Sequence, residues 1–126
     1  MLGDDTYLEA ADRWVGDWQA KIETRLAGAR AAAARLKTIQ GTARGAGGLI
    51  SVTVTSSGAL AELHLDEDIR GHSASWIAEQ ILITARSAVA DLSRRAAAIA
   101  DETVGRDSAD GRALLLGFPG AEGTSP

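Results

Sequence analysis

The sequence predicts an α+β fold: an α-β-β-β-α protomer with two long helices and a small antiparallel sheet. Three observations carry this prediction. Two long segments, one early and one late, repeat their apolar residues in steps of three and four, the period of a helix face. Between them, "GGLISVTVTSSGALAELHLDED" holds two short runs that alternate apolar and polar residues about a Ser-Ser-Gly turn. Just before it, "TIQGTARGAGG" is too rich in Gly and Thr to continue a helix and leaves room for one more strand.

The first helix is expected over about residues 5–37. Thr6-Tyr7-Leu8-Glu9 has the form of a capping box at its start. Its apolar stripe runs through Ala11, Val15, Trp18, Ile22, Leu26, Ala29, Ala33 and Leu36. The two steps of four from Trp18 to Leu26 locally break a strict heptad. A short strand is expected near Thr38–Ala43, and the glycines of Gly41–Gly48 read as a flexible connector. No phosphate-binding loop is implied there, because the P-loop spacing is absent and a strand follows.

Ile50, Val52 and Val54 form the buried face of one strand, and Ala61, Leu63 and Leu65 that of the next. Gly58 suits a positive φ in the turn. "DEDIRG" at Asp66–Gly71 superficially resembles a calcium loop. Arg70 would stand at a ligand position and Ile77 where a bidentate Glu is needed, so no metal is expected. Ser73 or Ser75 caps the second helix. Its seam is a clean heptad of Ala78, Leu82, Ala85, Val89, Leu92, Ala96 and Ile99. The helix should end near Thr103–Gly105. The folded domain thus covers residues 1–104. Residues 105–126, rich in Gly, Ser and Asp, read as a flexible tail whose apolar island, Leu114 to Phe118, is able to dock.

The 126-residue length bounds the chain to one domain with a modest core. Much of the apolar content is alanine, which packs closely but buries little area. A helix of 33 residues spans about 50 Å and a seven-residue strand about 23 Å. The helices must overhang the sheet, and a two- or three-stranded sheet leaves open edges. A homodimer with the sheet as hub is the economical solution.

There is no cysteine, which removes disulfides, thiol catalysis and cysteine-based metal sites. The acidic N-terminus lacks a signal-peptide core, and no apolar run is long enough for a membrane span, so a cytoplasmic protein is expected. His64 and His72 have no nucleophile or metal-ligand partner at useful spacing, and no carboxylate pair suggests acid–base chemistry. No enzyme activity and no cofactor are expected.

The net charge of −4 argues against a nucleic-acid partner, but the charges are segregated. Residues 1–20 hold Asp4, Asp5, Glu9, Asp12 and Asp17 against Arg13. The following stretch holds Lys21, Arg25, Arg30, Arg35, Lys37 and Arg44 against Glu23. Lys21, Arg25 and Arg35 lie on one flank of the apolar stripe, Arg30 and Lys37 on the other. These bases either snorkel as solvated flanks or border a groove that contacts phosphates. Trp14-Val15-Gly16 contains the W-x-G of type VII secreted helical hairpins, which belongs in a turn at mid-chain; here a β-hairpin occupies the middle. Trp14 and Trp18, four residues apart, form a contact patch for core or dimer packing, or for another protein.

Over about residues 20–104, the order helix, Gly-rich link, "GLISVTVTSSGALAELHLDEDI" and long helix resembles the YbaB/EbfC family of bacterial nucleoid-associated proteins. The piece that carries the resemblance is G-x-I-x-V-x-V from Gly48, a small turn, a second strand ending in Asp66, and a helix after an acidic link. The resemblance implies an intertwined homodimer with helical arms that binds double-stranded DNA with low sequence specificity in the nucleoid. The chain departs from the family in its acidic, Trp-bearing extension (residues 1–20) and in its net charge. Some such relatives occur beside specialised secretion systems. The alternative function is therefore an acidic interaction module or adaptor linked to a type VII-like system, with little DNA affinity.

Overall fold

The computed structural model describes residues 2–105 and 107–119, with side chains from residue 7 onward. Helix α1 (Leu2–Leu36) leads into strand β1 (Gly41–Gly45), β2 (Ile50–Val54) and β3 (Leu60–Leu65), then helix α2 (Ala74–Thr103) and a short helix α3 (Ala109–Leu116). The three strands form one antiparallel sheet in the order β1-β2-β3. The α+β class and element order are those read from the sequence, with one helix added.

α1 begins before the expected cap, so Thr6 lies inside the helix; its side chain is outside the described residues. The glycine-rich connector is a strand, displaced toward the C-terminus from the expected Thr38–Ala43. Its glycines are what let it form where it does. Gly41 and Gly45 face α2, where a Cβ on Gly41 would collide with the Ala88 carbonyl oxygen and stand 2.7 Å from Leu92 Cβ. A Cβ on Gly45 would collide with Thr84 Oγ1. With no side chains in the way, α2 lies directly on β1. Thr42 N–H, on the outer edge of β1, donates to the Asp91 carboxylate at 2.9 Å. That carboxylate also accepts from Arg95 Nε at 2.8 Å.

The hairpin turns at Gly58, with φ +84 as its position requires. β2 buries Ile50, Val52 and Val54 beneath α2, where they pack with Ile69, Ala88 and Leu92. β3 does not share this burial, contrary to the alternation read from its sequence. A register shift pairs Leu60 with Val54, Leu63 with Val52 and Leu65 with Ile50. Opposed residues share a face, so Leu60, and not Ala61, joins Leu63 and Leu65 on the apolar side. α2 packs chiefly on β1 and β2, leaving these leucines 54%, 41% and 38% exposed.

Asp66 Oδ1 accepts from Asp68 N–H at 2.9 Å, so "DEDIRG" closes as a 3-10 turn that drives Ile69 into the core. Ser73 Oγ caps α2 by accepting from Trp76 N–H at 3.2 Å. His72 is exposed and stacks on Trp76 with ring centroids 3.8 Å apart. Within the segment read as a flexible tail, Ala109–Leu116 form helix α3. Ser108 Oγ accepts from Gly111 N–H at 3.0 Å and caps α3. Leu114, Leu115 and Phe118 then pack on Leu36, Ala96 and Ile99. The Ser and Asp that suggested disorder are cap and first-turn residues, and the apolar island supplies the burial.

Candidate nucleic-acid interface

Lys21, Arg25, Arg30 and Arg35 are exposed along about 21 Å of α1, and Lys37 is exposed in the turn just after it. Their roles diverge. Arg25 Nε lies 2.6 Å from Asp110 Oδ2 at the start of α3. Arg35 Nη2 lies 3.2 Å from Glu102 Oε2 at the end of α2. Both arginines sit near the side of α1 that meets its neighbours. Arg30 lies about 140° round the helix from Arg25 and faces outward, whereas Lys37, in the turn after α1, borders a groove with Ser56, Ser57 and Phe118. Among the described residues, Lys21, Arg30, Lys37 and Arg44 form no ion pair within 4.0 Å. Arg44 is on the sheet, paired in register with Ser51 and alternating with Ala43 and Gly45. It therefore points to the sheet face away from α2.

The two pairs on α1 are solvent-exposed, so each contributes little stability and a phosphate can compete for either arginine. Asp110 and Glu102 are the residues missed from sequence. Asp110 lay in the segment read as flexible, and Glu102 has no sequence signal that pairs it with Arg35. Arg86, Arg94 and Arg95 make a second basic group on α2, but Arg94 and Arg95 both pair with Asp91. The Asp91 carboxyl is held below the usual carboxylate range, first by the Thr42 N–H and then by the two arginines, against a partial desolvation.

The α2 seam divides. Leu92, Ala96 and Ile99 are buried within the protomer, Ala85 and Val89 are half-buried, and Ala78 and Leu82 are exposed. Leu82 lies about 180° round the helix from Asp91, which marks the β1 edge; it thus stands on the flank toward β3. At 58% exposure it leaves another large apolar side chain uncovered, besides Leu60, Leu63 and Leu65. Trp14 and Trp18 pack on no core: they are 68% and 54% exposed on the free part of α1. Among the described residues, no group of His, Cys, Asp and Glu could hold a metal ion, and no helix is long and apolar enough to cross a membrane.

These features define a helix-armed α+β protein whose sheet ends in an uncovered apolar strand and whose longest helix carries unpaired bases. The model of the YbaB/EbfC DNA-binding family matches residues 15–106, most of the chain, and the chain belongs to that family. Comparison with curated proteins returned no match.

Proposed function

We propose that this protein acts as a non-catalytic homodimer that binds double-stranded DNA with low sequence specificity, in the cytoplasm as part of the nucleoid. Family membership over residues 15–106 carries the DNA reading. The exposed bases Lys21, Arg30, Lys37 and Arg44 support it, with Arg25 and Arg35 available once phosphate displaces Asp110 and Glu102. All six are exposed cations of a kind that contacts phosphates, which position a duplex without reading its sequence. The dimer reading rests on Leu60, Leu63, Leu65 and Leu82. Such a patch at a sheet edge is stabilised by an equivalent patch on a second copy.

A mobility-shift titration with two unrelated duplexes at about 50 mM salt tests the reading, in the range where phosphate contacts are strong. Binding to both with similar affinity supports it. No binding by a folded dimer selects the alternative, an acidic adaptor linked to a type VII-like secretion system. The net charge of −4 and the exposed Trp14 and Trp18 favour that alternative.

A further inference from the structure

α1 outruns every element beside it. Thr24 and Arg25 line one groove with Thr103, Val104 and Asp110, at the end of α2 and the start of α3. Every described side chain from Tyr7 to Ala27 is exposed. The helix from Leu2 to Glu23 therefore projects as an arm of about 33 Å. Its Leu8, Ala11, Val15, Trp18 and Ile22 follow in steps of three, four, three and four, a heptad seam with β-branched residues at two successive a positions. Leu8 is 59% and Val15 43% exposed. A seam of this kind on one uncovered helix is half of a coiled coil.

We propose that the seam pairs with the arm of a second copy of this chain, in antiparallel orientation. Charge decides the occupant and its direction. The outer arm carries Glu9, Asp12 and Asp17 against Arg13, whereas the base of the arm and the turns of α1 that follow it carry Lys21, Arg25 and Arg30 against Glu23. Parallel pairing sets like charges side by side. Antiparallel pairing sets the acidic end of each arm along the basic end of the other. In the register that stacks Val15 on the second copy's Trp18, Ala11 falls on its Ile22, so the seam residues of the two arms meet in pairs. The arm is separate from the β3–Leu82 surface. Two self-complementary surfaces on one chain generate an open, concentration-dependent assembly beyond the dimer.

Because the chain has no cysteine, Ala11→Cys and Ile22→Cys each introduce a single thiol. Both sites are exposed on the arm, so neither change disturbs the core. Under mild oxidation, an equimolar mixture should form the mixed disulfide in large excess over either homodisulfide. Light scattering of the wild type should show a mass that rises above the dimer with concentration, and Val15→Asp should abolish that rise. Where the β3 surface fails to pair, the same substitution should instead reduce an arm-linked dimer to a monomer; this separates failure of the sheet dimer from failure of the arm contact. A wild-type mass independent of concentration and unchanged by Val15→Asp overturns the proposal. So does a dominant Ala11→Cys homodisulfide, which reports parallel arms. Absence of the mixed disulfide in a wild-type-like fold also overturns it and leaves the arm to a different protein.

Discussion

Arg25 on α1 and Asp110 on α3 meet at 2.6 Å, Nε to Oδ2, joining two segments 85 positions apart. The contact draws an acidic residue from outside the family match onto a base of the candidate DNA surface. Arg35 and Glu102 repeat the arrangement one helix away.

Neutralising these acids should therefore strengthen DNA binding. Asp110→Asn with Glu102→Gln should raise affinity and steepen the salt dependence, by about one unit of log–log slope for each arginine that gains a phosphate. Glu67→Gln with Asp68→Asn makes the same change in net charge without touching either arginine and serves as the control. Equal gains from the two double variants would reduce the effect to net charge. Fluorescence anisotropy across a salt series makes the comparison.

The apolar surface and the buried seam should respond differently to a charge. Leu63→Asp or Leu82→Asp should leave a folded monomer, because these side chains are exposed in the protomer. Leu92→Asp should unfold it, because Leu92 is fully buried and an unpaired charge there is costly. Circular dichroism together with light scattering separates the outcomes; a dimer that survives Leu63→Asp excludes the β3 face.

Close approach of α2 to β1 should show in glycine substitutions. Gly41→Ala or Gly45→Ala should destabilise the protein by about 1–3 kcal/mol, as overpacking does. Gly28→Ala meets open space within α1 and should stabilise that helix by about 0.5–1 kcal/mol. Urea unfolding midpoints give all three values.

Asp91 should contribute to acid sensitivity. Its carboxyl titrates below its ordinary value because the charged form accepts from Thr42 N–H and pairs with Arg95 and Arg94. A depressed folded-state pKa stabilises the fold above the unfolded-state value of about 3.9 and loses that contribution as pH falls through the folded-state value. Asp91→Asn should cost about 1 kcal/mol at pH 7. It should also flatten the loss of stability below about pH 4. Urea midpoints at neutral and acid pH report both; an unchanged acid limb would remove Asp91 as a contributor.

Periodicity made the long helices and the hairpin legible in the sequence, and Ser73 marked the start of α2. Features that depend on what lies opposite a residue were not legible. Gly45 reads as part of a connector and Gly41 as a strand residue of no special role, because nothing in the sequence tells that α2 needs their missing side chains. The bulge that moves Leu60 onto the apolar face leaves the simple alternation of Ala61, Leu63 and Leu65 misleading by one position. Charge segregation marked the α1 bases, but which of them were already paired depended on Asp110 and Glu102, distant in sequence.

The most direct test of the central claim is DNA affinity of the wild-type protein and of Arg30→Ala/Lys37→Ala at about 50 and 200 mM salt. Both residues are exposed and without ion-pair partners among the described residues, so the variant should keep its fold. A phosphate-reading surface predicts wild-type binding to unrelated duplexes that falls steeply between the two salts, and a variant that binds all of them more weakly by a similar factor. No wild-type binding at the lower salt, or binding that depends strongly on sequence and little on salt, would contradict it.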